Sequence, residues 1–331
     1  MPRLVPTLSK AIPVHQATHG YQVQKLAVEK HVFPAPKPAT QKYAFLWSHS
    51  NGFNKETLHP VMRNFLHHLR SQSRFDTTDI DFVAWEARNH GDSARMNEGT
   101  FLDRYNWFDN VMDTKQVVDT MELKSSYDKF IGVGHSFGAT SMLVCEFFFP
   151  KTFDGLCLIE PVIGDNIDDV EIRALYPTMA SKNRRDTWAS REECFKKLSP
   201  RPFWKKFDPE VLNLYIDYGM YETPEGKVTL KCPKSQEFHV FDVQSYARTT
   251  GYRSLPTLSI PVHMIYALES PFLLPENVND ITSKSPLITV EHIEGSHMVP
   301  NERPKGMVPN IAKILDRVLA LSPDFGVSAK L

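Results

Sequence analysis

The stretch from Phe130 to Phe149 is the most apolar in the chain, and its length would suit a membrane-crossing helix. His135, Ser136 and Glu146 interrupt it, however, and Gly134 and Gly138 bracket the serine. Polar residues set between two glycines mark a corner. The stretch therefore divides into a buried strand, Lys129-Phe130-Ile131-Gly132-Val133, a sharp turn, and a buried helix from Ser136 to Phe148. No transmembrane segment is expected.

The same alternation runs along much of the chain and predicts a mostly parallel sheet flanked by helices. Tyr21 to Phe33 reads as one or two amphipathic edge strands, and Tyr43 to Trp47 as a short buried strand. A helix follows from about Glu56 to Leu69, then a strand from Ile80 to Trp85, a helix from Trp107 to Leu123, and, after the buried helix from Ser136 to Phe148, a strand from Leu156 to Ile159. From about 163 to 250 the alternation stops, and charged, aromatic and proline-rich segments show helical patterns without strand runs. It resumes with a strand from Val262 to Tyr266, a helix from Pro275 to Ser283, a strand from Leu287 to Ile293 and a helix from Lys305 to Leu321. The expected organisation is a core of residues 1–162 and 251–331 with a helical cap, 163–250, inserted between two of its strands.

With 331 residues, 41% of them hydrophobic, the chain can bury one large core plus an insertion. Its 38 basic and 39 acidic residues balance, which argues against a nucleic-acid protein with a basic face. Cys145, Cys157, Cys194 and Cys232 form no C-x-x-C pair and no metal-ligand spacing, and the first two lie in apolar runs, so reduced buried thiols are expected. The first residues lack the apolar core and cleavage site of a secretory signal.

Gly134-His135-Ser136-Phe137-Gly138 is a G-x-S-x-G motif between a strand and a helix, the setting in which such a serine becomes a nucleophile. The strained turn lifts Oγ clear of the sheet, at a helix N-terminus whose partial positive charge favours a developing oxyanion. The oxyanion's two backbone N–H donors are expected from Phe137 and from Asn51, within His49-Ser50-Asn51-Gly52-Phe53 after the Trp47 strand. Among the 13 histidines, His67 and His68 lie on a helix, His292 lies in a strand, and His90 reads as packing for its loop. His297 instead follows the last strand across Glu294-Gly295-Ser296, over the strand ends where Ser136 sits, and its intrinsic pKa suits a general base.

The acid is less determined. In hydrolases built on such a serine it usually follows the strand here running from Val262 to Tyr266, where Ser270 stands at the expected position and Glu269 one residue early. A one-residue displacement matters, because side chains near a strand end alternate in direction. Glu160, at the end of the strand after the nucleophile helix, is the favoured candidate, Glu269 the alternative and Asp165 a third.

Ser48-His49-Ser50-Asn51-Gly52-Phe53, the G-x-S-x-G segment with Ala139-Thr140, Ile159-Glu160-Pro161-Val162 and Gly295-Ser296-His297-Met298 together resemble the α/β-hydrolase superfamily. The branch they resemble contains the yeast peroxisomal lipase and the fungal hydrolases of AK-, AF- and ACT-toxin biosynthesis. The resemblance implies an α/β-hydrolase fold with an eight-stranded sheet, and a carboxylic-ester hydrolase or lipase of the peroxisome, needing no cofactor or metal, in fungal secondary metabolism. It also lends weight to Glu160. Acyl-CoA thioesterase or acyltransferase activity is the nearest alternative, and a catalytically silent binding protein the one from another class. Ala329-Lys330-Leu331 reads independently as a variant of the Ser-Lys-Leu peroxisomal address, which makes an import receptor the expected partner and the peroxisomal matrix the expected location. The other expected partner is a small acyl ester or thioester. Between Lys182 and Lys206 nine basic residues face three acidic ones, with Trp188, Phe195, Phe203, Trp204 and Phe207 interleaved. Such a segment reads first as a solvated face, and second as a dock for an anionic substrate or membrane.

Overall fold

Strand β5 (Lys129–His135) carries the run Phe130-Ile131-Gly132-Val133, buried on both faces, and such a strand must lie inside a sheet covered on both sides. In the computed structural model, which describes residues 3–165, 176–242 and 245–321, it does. The other core strands are β1 (Leu8–Pro13), β2 (Lys25–Phe33), β3 (Gln41–Ser48), β4 (Thr78–Trp85), β6 (Gly155–Ile159), β10 (Val262–Ala267) and β11 (Ile288–Ile293). They form one eight-stranded sheet in the order β1-β2-β4-β3-β5-β6-β10-β11. Strand β2 is antiparallel to both its neighbours, and the pairs from β4 through β11 are parallel. This is the expected fold, with one addition. β1 exposes every residue but Ile12, so it leaves no alternating pattern in the sequence and pairs only as an edge.

Helices α1 (His59–Arg70), α2 (Gly91–Met96), α3 (Trp107–Thr120), α4 (Phe137–Phe148) and α5 (Val308–Ala320) supply most of the cover. α3 and α4 pack Val111, Val117, Met142 and Leu143 on one face of the sheet. α1 and α5 pack Met62, Phe65, Ile311 and Leu315 on the other, each fully buried side chain contributing about 1.5–3 kcal/mol.

The topology positions the site. The chain passes from β3 to β4 on one side and then crosses back to β5 on β3's other side, so the strand order reverses between β3 and β5. Crevices for ligands open at the carboxyl ends of strands flanking such a reversal. Here those ends are Ser48 and His135.

The segment between β6 and β10 stands apart from the sheet and has its own small core of Trp188, Cys194, Trp204, Phe207, Val211 and Tyr215. The sequence leads us to expect a helical segment without strands, and that expectation is corrected here. β7 (Thr187–Trp188), β8 (Met220–Glu222) and β9 (Val228–Leu230) form an antiparallel sheet in the order β7-β9-β8. Strands of two or three residues are too short to leave a period-two signature. All four cysteines are free and buried, and burial raises the thiol pKa of each. Among the described residues, no helix is long and apolar enough to cross a membrane.

Candidate active site

Ser136 sits between β5 and α4 at φ 53°, a backbone conformation that costs a non-glycine residue free energy and persists only where packing enforces it. The flanking glycines show how. A Cβ at Gly134 would lie 2.7 Å from Ala139 Cα, and one at Gly138 would lie 2.5 Å from Ser48 Oγ and 2.7 Å from the His49 carbonyl oxygen. Helix α4 can thus start directly beneath the β3 loop only because position 138 has no side chain. The serine is 7% exposed and heads a helix whose first residue is Phe137.

His297 meets it from the loop after β11. Its Nε2 lies 2.8 Å from Ser136 Oγ, and its Nδ1 lies 2.8 Å from Glu160 Oε2. Glu160 is wholly buried and, like Ser136, has positive φ, 54°, although it precedes a proline. Its N–H still bonds the Ile265 carbonyl at 2.8 Å, as if β6 continued, while its carboxylate reaches the end of β10. There Oε1 accepts the Ala267 N–H and Oε2 accepts the Ser270 hydroxyl at 2.5 Å. A carboxylate with these donors fixes Nδ1 of His297 as a donor too, which leaves Nε2 free to accept the Ser136 proton.

The other carboxylates considered lie elsewhere. Glu269 points to solvent and pairs with Lys206 at 2.5 Å, and Asp165 pairs with Arg253 at 2.7 Å on the surface. Neither carries a hydrogen bond to His297.

The loop after β3 is held by imidazoles. His49 Nδ1 donates to the Ser50 carbonyl at 2.8 Å, and its Nε2 accepts the Ala87 N–H at 3.1 Å. His90 Nε2 accepts the Gly52 N–H at 2.9 Å, and its ring stacks near Phe137. His90 therefore packs its loop, as expected, and also anchors the loop that carries Asn51. Asn51 is buried, with Nδ2 donating to the Glu237 carbonyl at 3.0 Å, which ties this loop to the inserted segment. Burial holds His90 well below its ordinary pKa and brings His49 down to about 4, so both rings stay neutral.

Sequence reasoning passed over His135. Its Nε2 donates to the His297 carbonyl at 2.8 Å and so braces the backbone of the base; burial lowers its pKa to about 3. Its place inside G-x-S-x-G was the only available signal. The Phe272 ring lies 4.7 Å from the imidazole of His297 and covers it further.

The inserted segment roofs this arrangement. Phe53 packs against Tyr215, Phe207 and Trp204 with ring centroids 5.3–5.9 Å apart, and Met298 joins the same cluster. Trp188, Trp204 and Phe207 are thus packing residues, Phe195 is partly buried, and Phe203 is 46% exposed. Of the nine basic residues, Arg184 pairs with Glu237 at 2.7 Å, Arg185 with Glu193 at 2.9 Å and Lys206 with Glu269. Lys196, Lys197, Arg201 and Lys205 face solvent.

Among the described residues, two groups of side chains elsewhere have metal-like spacing. Glu29, Glu56 and Asp92 converge, but the Lys55 ammonium already lies 2.8 Å from Glu56 and 3.0 Å from Asp92. Glu29, His31 and His59 also converge. His59 Nδ1 accepts the Leu4 N–H at 3.0 Å, so the ring, kept neutral by burial, has one nitrogen engaged and carries its hydrogen on the other, Nε2. A protonated nitrogen cannot ligate a metal, and this donor set does not suit one.

Comparison with known proteins agrees with the fold. Over 145 residues (39% of this chain, 37% of the relative) the sequence is 31% identical to the peroxisomal membrane protein LPX1 of Saccharomyces cerevisiae. Over 193 residues (58% of this chain, 42% of the relative) it is 23% identical to the type I acyl-CoA thioesterase mpaH of Penicillium brevicompactum. The matches span well under half the length of both curated relatives. The crystal structure of the yeast peroxisomal α/β-hydrolase Lpx1 superposes with a TM-score of 0.79 at 19% identity, covering 100% of this chain and 94% of that one. The thioesterase domain from the curacin biosynthetic pathway superposes at 0.66 and 13% identity, covering 92% and 98%. The model of the alpha/beta hydrolase family matches residues 45–309, from β3 to the start of α5, and the chain belongs to that family.

Proposed function

We propose that the protein is a serine hydrolase that cleaves carboxylic esters of fatty-acyl or polyketide-like acids in two acyl-transfer steps. The observation that carries this reading is the unbroken relay of 2.8 Å contacts from Ser136 through His297 to Glu160. His297 Nε2 takes the hydroxyl proton as Ser136 Oγ attacks the carbonyl, and the resulting oxyanion rests on the N–H groups of Phe137 and Asn51. The imidazolium, stabilised by Glu160, returns the proton to the leaving oxygen. An acyl-serine remains, and His297 then activates water to release the acid and restore the hydroxyl. No step calls for a cofactor or metal.

Thioester cleavage is the second reading. The solvent-facing Lys196, Lys197, Arg201 and Lys205 favour it, since they would attract the phosphates of an acyl-CoA, and so does the similarity to a relative described as an acyl-CoA thioesterase. Peroxisomal residence is proposed on Ala329-Lys330-Leu331, which lies outside the described residues, and on the similarity in sequence and in fold to one yeast peroxisomal protein, Lpx1. Service in fungal toxin or other secondary-metabolite biosynthesis is proposed on the sequence resemblance alone.

The test is labelling with a fluorophosphonate, followed by turnover of p-nitrophenyl esters and acyl-CoAs of graded chain length. Ser136→Ala is expected to lose both labelling and turnover. A folded Ser136→Ala that keeps more than about a hundredth of wild-type activity refutes the reading, because losing a nucleophile costs several orders of magnitude.

A further inference from the structure

We propose that the inserted segment completes the oxyanion hole, and that Arg184 is the positioning residue through which it does so. The proposal rests on the reading above in which the Asn51 N–H receives the oxyanion. Among the described residues that N–H has no hydrogen-bond partner, so it is open to a substrate oxygen. The inserted segment grips the loop at three consecutive residues. Asn51 Nδ2 donates to the Glu237 carbonyl at 3.0 Å. The Glu237 carboxylate lies where a Gly52 side chain would be, with a Cβ there only 2.8 Å from Oε1. The Phe53 ring packs on Tyr215 with centroids 5.3 Å apart.

Glu237 belongs to the helix Lys234–Asp242 and Tyr215 to the helix Pro209–Tyr218, and both are buried. Arg184 joins them. Its Nη1 lies 2.7 Å from Glu237 Oε2, and its Nη2 donates to the Tyr215 hydroxyl at 2.8 Å. A planar guanidinium bonded through two nitrogens fixes the spacing of its partners, which a flexible ammonium does not. One side chain thus sets the separation of the two helices that hold Asn51 and Phe53. The pair also has an electrostatic side. The Glu237 carboxylate packs on Gly52, the residue after Asn51. A bare carboxylate there would oppose the negative charge that develops on the substrate oxygen. Arg184 cancels it. The two halves of the pair therefore differ in what they do for the reaction. Losing the cation leaves an anion beside the oxyanion hole, whereas losing the anion leaves a cation that favours the transition state. An ion pair serving only the fold would make the two losses alike, because either one strands a buried charge.

The experiment compares Arg184→Met, Glu237→Gln and Arg184→Met/Glu237→Gln with wild type and with Ser136→Ala. It reads kcat and KM on a p-nitrophenyl ester, melting curves, and inhibition by a trifluoromethyl ketone, whose adduct with Ser136 puts an oxyanion in the same hole. Arg184→Met is expected to lose about 30- to 100-fold in kcat, less than deleting an oxyanion donor outright, with KM within about threefold and the ketone weakened in parallel with kcat. Glu237→Gln keeps its backbone bond to Asn51 and the Arg184 charge, and is expected to stay within about threefold in kcat. The double variant is expected to regain at least about tenfold of what Arg184→Met loses, because no carboxylate is left uncancelled. A folded Arg184→Met with kcat and ketone affinity like wild type overturns the proposal, and so do equal losses in the two single variants. Should Arg184→Met fail to fold, a Glu237→Gln that loses more than about threefold in kcat overturns it. If Ser136→Ala stays active, the hydrolase reading falls first and takes this one with it. If Ser136→Ala is silent and Arg184→Met is unimpaired, this proposal alone fails.

Discussion

Replacing Glu160 by glutamine changes one oxygen to an NH₂ group in a pocket with no room to re-sort its partners. The wild-type carboxylate accepts from three donors: the Ala267 N–H on Oε1, and the Ser270 hydroxyl and His297 Nδ1 on Oε2. If the amide oxygen stays on the Ala267 side, the NH₂ faces His297 and forces Nδ1 to accept. The imidazole hydrogen then moves to Nε2, 2.8 Å from Ser136 Oγ, and the base can no longer take the serine's proton. If the amide is flipped, the NH₂ opposes a backbone N–H that cannot turn away. Either arrangement leaves a buried donor unsatisfied, at about 1–3 kcal/mol. The wrong tautomer in a triad of this kind costs about 10⁴ in rate, or about 5.5 kcal/mol of transition-state stabilisation. Glu160→Gln is therefore expected to lose about 10³–10⁴ in kcat with little change in KM. Glu269→Gln breaks a solvent-exposed pair with Lys206, worth about 0–1 kcal/mol, and is expected to cost less than about tenfold. Initial rates under saturating p-nitrophenyl ester, with melting curves to confirm folding, compare the two. A folded Glu160→Gln within tenfold of wild type, or a severe loss confined to Glu269→Gln, would refute this account.

Gly138→Ala places a methyl group 2.5 Å from Ser48 Oγ and 2.7 Å from the His49 carbonyl, and backbone has to move to admit it. It should cost about 1–3 kcal/mol of stability, read as a lower denaturation midpoint, and should depress kcat by displacing the loop that carries Asn51. Stability should fall on acidification. His49 and His135, fully buried with pKa values near 4 and 3, stay neutral in the fold while the unfolded chain takes up protons below pH 6.5. Each contributes stability that is present above pH 6.5 and is lost as pH falls, about 2 kcal/mol between pH 7 and 5; urea midpoints that do not change over that range would contradict it. Removing Ala329, Lys330 and Leu331 from an N-terminally fluorescent fusion should leave it cytosolic, and peroxisomal puncta without them would place the address elsewhere.

Features confined to one stretch of chain were legible in the sequence. The Gly134–Gly138 motif, its strand and its helix occupy consecutive residues, and local rules are enough to read them. His297 was legible because it follows a clear strand and precedes a helix. Pairs brought together across the chain were not. The role of His135 in bracing the His297 carbonyl links residues 162 apart, and nothing near His135 announces it. The short strands of the inserted segment were missed because their pairing, Thr187 with Thr229 and Tyr221 with Thr229, is set by partners rather than by local pattern.

The acid shows where reading along the chain stops and why. Glu160 and Glu269 each end or follow a core strand, and sequence alone leaves them nearly equivalent. What separates them is register between strands more than a hundred residues apart. Ile159 of β6 lies beside Ile265, and β10 continues two residues further to Ala267, which lies beside Ile293 of β11. The carboxylate of a residue just past Ile159 therefore faces the Ala267 N–H and the loop that brings in His297. Reaching them requires the backbone of Glu160 to turn into the left-handed region, where a non-glycine residue before proline is strained by about 1–3 kcal/mol. Of the four non-glycine residues with positive φ among the described residues, Glu122, Ser136, Lys151 and Glu160, two are the ones that meet His297. What holds Glu160 there is the set of bonds the turned carboxylate makes, to the Ala267 N–H, the Ser270 hydroxyl and His297, each of which would be left as a buried unsatisfied donor if the side chain pointed elsewhere.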